Sequence, residues 1–164
     1  MKVYQHYING ALCDPASGEW FDSENPYTGE VWAKIARGNA EDVDQAVTAA
    51  KAAFDGEWGA TGPTARGKLM VKLAEIIERE AVRLGEIEVS DNGKLIAEMG
   101  LQTQYSAQWY YYFGGLADKI EGSVLPIDKP DTFTYTRSEP LGVVGMITPW
   151  NSPILLLTLS LIHI

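Results

Sequence analysis

Cysteine is almost absent from this sequence, because Cys13 is the only one among 164 residues. A single thiol cannot form a disulfide within the chain or build a cysteine-based metal site. We therefore expect a protein of a reducing compartment, namely the cytoplasm. Cys13 lies in a turn-rich segment without a base motif nearby, so inert packing is favoured over a reactive thiol.

Positive charge is scarce as well. The chain has 13 lysines and arginines against 22 aspartates and glutamates, and its net charge is −9. Nucleic-acid binding needs clustered basic residues, whereas these are scattered, so we expect no nucleic-acid partner. The longest apolar run, in "ILLLTLSLIHI", is shorter than the roughly 20 residues that cross a bilayer, and "MKVYQHYING" lacks the apolar region of a signal peptide. We expect no membrane association.

The first third of the chain predicts short antiparallel strands. In "YQHYINGALCDPASGEWFDSENPYTGEVWAKIA" alternating apolar positions are interrupted by Asn9-Gly10, Ser17-Gly18 and Thr28-Gly29. Such pairs favour tight turns between strands.

Four helices are then predicted. Asn39 is a candidate N-cap for the first, Pro63 starts the second after the loop "EWGATGP", the third covers Glu80–Val89, and the fourth runs from about Ile96 to about Ile120. The turn sequence "SDNGK" separates the last two. Apolar residues at helical spacing support this assignment.

Strand patterns return near the end of the chain. Residues 132–139, "TFTYTRSE", alternate as an exposed strand does, and "LGVVGMI", residues 141–147, is apolar on both faces. The second pattern is typical of a strand buried on both sides in a parallel sheet.

Asn151 follows this predicted buried strand by four residues, in "TPWNSP". Ligands of open α/β sheets bind beyond the carboxyl ends of the strands. A carboxamide is a donor whose charge does not change with pH, so it could stabilise an oxyanion. The alternative is an asparagine that only satisfies the loop backbone, as many do.

These segments together resemble the aldehyde dehydrogenase superfamily. The chain is similar to it in "NPYTGEVWAKI", "AEDVDQAVTAAKAAFDGEWG", "RGKLMVKLAEIIERE", "DNGK", "YYFGGLADKIEGSVLP" and "TYTRSEPLGVVGMITPWNSPI", which occur in the family's order. The resemblance covers Tyr4 to Thr158 and implies an incomplete α/β fold: small antiparallel strands, helices, an oligomerisation strand and the first strand of a Rossmann-type sheet.

The resemblance also implies a site. Asn151 would be the oxyanion-hole amide, and Ile147, Thr148, Pro149 and Trp150, with Asn151, would line an NAD or NADP cofactor. The implied mechanism is attack of a thiolate on an aldehyde, hydride transfer and thioester hydrolysis. The family's nucleophilic cysteine, general-base glutamate and glycine-containing cofactor loop come later than Ile164, and Cys13 does not match the nucleophile. The chain by itself is therefore expected to be inactive.

Three further features have two interpretations. Asp91 terminates a helix as part of Asp-Asn-Gly, and by resemblance it could also help bind a structural monovalent cation. Residues 132–139 are an ordinary edge strand or, as the resemblance favours, the family's oligomerisation strand in a dimer or tetramer. The aromatic run Trp109–Phe113 predicts packing, with one or two rings facing the substrate channel by resemblance.

The predicted organisation has four parts. Residues 1–121 belong to the cofactor-binding domain, residues 122–140 to the oligomerisation segment, residues 141–158 to the start of the Rossmann-type sheet, and residues 159–164 to a non-native tail. A second hypothesis, from another class of function, is a non-catalytic helical binding or assembly module.

The tail prediction rests on "LSLIHI", which has neither the lysine nor the small residues that the family has there. These residues can be encoded by CTG TCT CTT ATA CAC ATC, which resembles a transposase mosaic-end sequence of sequencing adapters. We therefore expect Leu159–Ile164 to be encoded by adapter; the alternative is a genuine terminus that has diverged from the family.

Overall fold

A computed structural model describes residues 1–163 of the chain. Three strands near the N-terminus form one sheet: β1 (Lys2–Tyr4), β4 (Trp20–Glu24) and β5 (Val31–Ala36). The order is β1-β5-β4, with β4 antiparallel and β1 parallel to β5. The expected antiparallel pairing is therefore present between β4 and β5. The parallel pairing of β1 with β5 was not predicted.

The remaining N-terminal strands form a hairpin, in which β2 (His6–Ile8) pairs with β3 (Ala11–Cys13). Asn9 and Gly10 both have positive φ, at 52° and 80°, which is the backbone that a two-residue type I′ turn requires. The sequence predicted this turn from the Asn-Gly pair, and the prediction is confirmed.

Helix α1 (Ala40–Asp55) begins where its cap predicts. The Asn39 side chain accepts hydrogen bonds from the backbone N–H groups of Glu41 and Asp42, and Asp42 accepts one from the Asn39 N–H at 2.9 Å. Asp42 also accepts from the backbone N–H of Ala16 at 3.0 Å. These backbone donors, Asn39 first, lower the pKa of the Asp42 carboxyl below its ordinary value, because they favour its ionised form.

The second and third predicted helices are one helix, α3 (Pro63–Asn92), which corrects the expected break near Glu80. No proline or glycine occurs between residues 68 and 84, so the backbone has no reason to stop there. Glu80 instead accepts a hydrogen bond from Arg83 one turn later, at 2.8 Å. The short helix α2 (Glu57–Ala60) precedes α3, within the segment predicted as a loop.

Helix α4 (Ile96–Leu116) ends four residues before the predicted end at Ile120. It packs antiparallel to α3 after the tight turn at residues 93–95, and the buried core lies between the two helices. The core residues are Ala74, Ile77, Ala107 and Tyr110.

Backbone contact between α3 and α4 is very close at two places. A β-carbon on Gly67 would collide with the carbonyl oxygen of Gly114, and one on Gly85 would lie 3.3 Å from the Gly100 nitrogen. Glycine at these positions therefore lets the helices approach more closely than any other residue would.

The last third of the chain has little regular structure. A two-stranded ribbon pairs β6 (Val124–Leu125) with β7 (Thr134–Tyr135), which is shorter than the exposed strand predicted for residues 132–139. In the described part of the chain, β7 pairs with β6 over two residues.

Residues 141–147, all within the described part, form no strand, contrary to the predicted buried one. Leu141 is 97% and Ile147 is 99% exposed. A parallel strand needs neighbours on its edges and layers on both faces. Residues 1–163 place none of these around the segment.

Helix α5 (Pro153–Leu161) closes the described chain and packs on α4. It runs through residue 159, where the predicted non-native tail begins, and Leu161 and Ile162 contact the core. Ile164 of that tail lies outside the described residues. Among residues 1–163, no helix is long and apolar enough to cross a membrane.

Replacing Gly67 by alanine should destabilise the chain by about 1–3 kcal/mol, the usual cost of overpacking. The matched control is Gly100→Ala, because a β-carbon there has no atom within 4 Å. That change should stabilise α4 by about 0.5–1 kcal/mol, since alanine is the better helix former. Urea unfolding followed by circular dichroism measures both. Equal effects of the two substitutions would contradict the close helix contact.

Candidate functional site

The predicted site residues lie on an exposed loop that leads into α5. Ile147 is 99% and Trp150 is 76% exposed, Pro149 and Asn151 are exposed, and Thr148 is half-buried. Ser152, next in the chain, is 6% exposed. The five predicted residues are thus consecutive in an accessible loop, and this loop ends at the buried Ser152.

Two side chains from the turn between α3 and α4 hold this loop. The Asn92 carboxamide donates to the backbone carbonyl of Trp150 at 3.4 Å, and the Lys94 ammonium donates to the Ser152 hydroxyl at 2.8 Å. Asn151 lies between the two contacts. Its amide is therefore carried by a backbone that is tied down on either side.

The turn that provides these contacts is well defined locally. Gly93 caps α3 in the left-handed conformation, with φ 74°, and its N–H donates to the Val89 carbonyl at 2.9 Å. The Asn92 side-chain oxygen accepts from the Lys94 N–H at 3.0 Å. Asp-Asn-Gly-Lys therefore ends a helix, as predicted, and also holds a loop 58 residues away.

Glu88 lies one turn before this cap and is 3% exposed. Within residues 1–163 its Oε1 has no hydrogen-bond partner. Burial raises the pKa of the Glu88 carboxyl above its ordinary value, and the charge of Asp91 raises it further. Lys94 and the Asn92 side chain act in the opposite direction without cancelling the effect of burial.

Asp91 faces the N-terminal sheet. Its Oδ1 accepts from the Ser23 hydroxyl at 2.6 Å, and that hydroxyl accepts from the Trp32 indole N–H at 2.8 Å. These bonds connect the end of α3 to β4 and β5. Residues 1–163 contain no group of three histidine, cysteine or acidic side chains that could hold a metal ion. The monovalent-cation role of Asp91 stays a prediction.

The aromatic residues of α4 are divided between the core and the surface. Tyr110 is 2% exposed, as packing predicts, whereas Tyr112 is 62% exposed. Trp109 stacks on Phe113 with ring centroids 6.4 Å apart, and Tyr105 meets Trp109 edge-on.

Tyr105 also lines an open groove of about 630 Å³ between α3, α4 and α5. The other lining residues are Glu78, Leu101, Gln102, Gln104, Gln108 and Leu155. Glu78 accepts hydrogen bonds from Gln108 at 3.2 Å and from the Tyr111 hydroxyl at 3.0 Å. The groove is therefore lined by two leucines and a tyrosine together with three glutamines and one glutamate.

The thiol of Cys13 makes its contact within the N-terminal hairpin and not with the loop at Asn151. This thiol is half-buried in β3 and lies 3.9 Å from the carbonyl oxygen of His6, a contact within the hairpin. A small packed side chain explains this position.

Sequence reasoning missed three contributors, namely Glu88, Lys94 and the buried Ser152. The residues around them signalled only a helix stop and a helix start. Nothing in the local pattern shows that two segments 58 residues apart exchange hydrogen bonds.

Comparison with known proteins decides the family. The model of the aldehyde dehydrogenase family matches residues 13–164. The chain belongs to the aldehyde dehydrogenase family. The resemblance seen in its ordered motifs is confirmed.

Similar proteins are dehydrogenases several times longer. The chain is 48% identical over 157 residues to a (Z)-2-((N-methylformamido)methylene)-5-hydroxybutyrolactone dehydrogenase of Acinetobacter baylyi, covering 95% of this chain and 32% of that protein. It is 43% identical to a mitochondrial aldehyde dehydrogenase of Rattus norvegicus, covering 93% of this chain and 30% of that one. The chain thus spans about a third of the length of these relatives.

Solved structures confirm the fold class as part of a larger aldehyde dehydrogenase fold. An aldehyde dehydrogenase structure from Burkholderia cenocepacia superposes with a TM-score of 0.92 at 34% identity, over 96% of this chain and 33% of that one. A betaine aldehyde dehydrogenase from Staphylococcus aureus, solved in complex with NAD+, gives 0.90 at 34% identity, over 96% and 32%.

Glu88→Gln should raise the melting temperature at about pH 8 and leave it nearly unchanged at about pH 4. The folded pKa of Glu88 is raised, so its ionised form disfavours folding at high pH, and this cost disappears as pH falls to its ordinary value of 4.5. Thermal unfolding at the two pH values measures the difference.

Glu86→Gln is the matched control, since Glu86 is an exposed carboxylate on the same helix. It should shift the melting temperature little at either pH. A stabilisation by Glu88→Gln that is equal at both pH values would contradict a raised pKa.

Proposed function

We propose that this chain is the N-terminal third of an NAD(P)-dependent aldehyde dehydrogenase, in which Asn151 donates a hydrogen bond to the oxygen of the reacting aldehyde. One observation carries the assignment: an exposed carboxamide sits on a loop whose backbone is fixed by Asn92 on one side and by Lys94 on the other. Donors that are aimed in advance contribute most to catalysis of this kind.

The chemistry needs such a donor. When a thiolate attacks an aldehyde carbon, the carbonyl π electrons move to oxygen, which becomes an oxyanion of a thiohemiacetal. A carboxamide N–H stabilises that charge without titrating, so its contribution does not depend on pH. The attacking cysteine belongs to the part of the enzyme beyond these residues, because Cys13 is packed within the β2–β3 hairpin.

The loop surface fits a nicotinamide cofactor. Ile147 and Trp150 present exposed apolar surface, and residues 147–149 belong to no helix or strand. Bound NAD or NADP would supply the hydride acceptor. The role of Ile147, Thr148, Pro149 and Trp150 in this proposal is to support its ring and to keep water from it, by apolar and backbone contact.

The β6–β7 ribbon is proposed to contribute to subunit association. Val124, Phe133 and Tyr135 are 67%, 72% and 62% exposed, and the ribbon has open edges. Apolar edges of this kind pair with another chain or aggregate. We propose a homo-oligomer, a dimer or tetramer, for the full-length enzyme, with a monovalent cation near Asp91 as a further proposed component.

In the full-length enzyme that contains this segment, Asn151→Ala should lower kcat by about 10²–10³, the usual effect of losing one oxyanion donor. The dissociation constant for NAD(P) should change little, because an amide is lost rather than the apolar surface. Steady-state kinetics and cofactor titration separate the two effects.

Gln45→Ala on the exposed face of α1 is the control, and it should leave kcat unchanged. If Asn151→Ala retains kcat within a few-fold but abolishes cofactor binding, Asn151 is a cofactor residue and not the oxyanion donor.

The 164-residue chain alone should form no NADH from an aldehyde and NAD+, because its only thiol is engaged in hairpin packing. Absorbance at the NADH band over a no-protein blank measures this. Turnover above the blank that disappears in Cys13→Ser would overturn both the assignment of a missing nucleophile and the packing role of Cys13.

A further inference from the structure

Ser152 makes an unusual choice of partner. A serine at a helix N-cap ordinarily accepts a hydrogen bond from a backbone N–H of the first turn. Ser152 is the N-cap of α5 but makes no such bond. Its hydroxyl accepts from Lys94 instead, at 2.8 Å, while the side chain is almost fully buried. Helix α5 thus lacks a side-chain capping hydrogen bond, and the hydroxyl that could make it is bonded to the turn after α3.

Lys94 has a second electrostatic partner. Its charge acts on the buried Glu88 carboxyl and favours the ionised form of that group. Glu88 has an oxygen without a hydrogen-bond partner in the described chain. The bond from the Lys94 ammonium to the Ser152 hydroxyl is charge-assisted, and hydrogen bonds of this kind are the stronger ones.

We propose that Lys94 is a positioning residue that fixes the loop carrying Asn151 through its hydrogen bond to Ser152. This inference rests on the proposed function, since it assigns Lys94 a task at the same site. Lys94 fixes the residue after Asn151, and Asn92 fixes the carbonyl before it. The carboxamide of Asn151 is then directed through its own backbone, which is held by contacts on both sides.

Hydrogen exchange on the 164-residue chain tests the positioning without any activity. In Lys94→Met, the backbone amides of residues 150–152 and 154–157 should exchange about tenfold faster, the range for loss of one charge-assisted hydrogen bond. Lys72→Met is the matched control, because Lys72 is an exposed lysine in the middle of α3. It should change exchange in this segment by less than about twofold.

Ser152→Ala removes the same hydrogen bond by removing its acceptor. It tests the proposal independently if the lysine variant fails to fold. The two substitutions together should accelerate exchange no more than either alone, because they break one shared bond. Unchanged exchange in Lys94→Met, or fully additive effects in the double variant, would overturn the proposal.

Kinetics of the full-length enzyme test the catalytic consequence. Lys94→Met should lower kcat about tenfold and leave the KM for NAD(P) within about twofold, because a misdirected donor affects the transition state and not cofactor binding. Faster exchange with unchanged kcat, in an enzyme that Asn151→Ala does impair, would refute the positioning role. If Asn151→Ala itself has no effect on kcat, the proposed function fails, and the exchange experiment still decides whether Lys94 holds the loop.

Discussion

At Gly67 and Gly114 the backbones of α3 and α4 meet so closely that a β-carbon cannot fit between them. This contact and the one at Gly85 fix the two longest helices as an antiparallel pair over most of their length. Strand β4 contacts α3, and helix α5 contacts α4. The strands β4 and β5 attach to the closed end of the helix pair through Asp91, Ser23 and Trp32.

At the closed end of the helix pair, four consecutive residues make three different contributions. Gly93 ends α3, Asp91 reaches the N-terminal sheet, and Asn92 and Lys94 hold the loop before α5. Glu88, one turn earlier in α3, is buried, and its Oε1 has no hydrogen-bond partner within residues 1–163. Burial raises the pKa of its carboxyl group. The charge of Lys94 opposes this rise in the pKa without cancelling the effect of burial.

Residues 141–147, in contrast to the turn after α3, form no regular structure. They have the apolar composition of a central parallel strand, yet Leu141 and Ile147 are almost fully exposed. The relatives that the chain matches are about three times as long. The next segment, the loop at Asn151, is joined to the turn after α3 by hydrogen bonds from Asn92 and Lys94.

The sequence by itself determined the local elements and the family. Asn39, Asn9-Gly10, Pro63 and Asp-Asn-Gly specify a cap, a turn, a helix start and a helix stop, since each acts through its own backbone conformation and nearest neighbours. The ordered motifs also identified Asn151 as the candidate donor, which stays a prediction. The continuity of α3 was missed because charged residues near Glu80 blurred its apolar period.

Only the tertiary structure decided what depends on residues distant in the chain. The contact of Gly67 with Gly114, the burial of Glu88 and the bond from Lys94 to Ser152 have no local signature, because a hydrogen-bond donor or a glycine looks the same in sequence whatever it meets. The same reason explains residues 141–147. A run that is apolar on both faces suits a buried strand, but backbone pairing requires a partner at hydrogen-bond distance, and only the folded arrangement decides whether one is there.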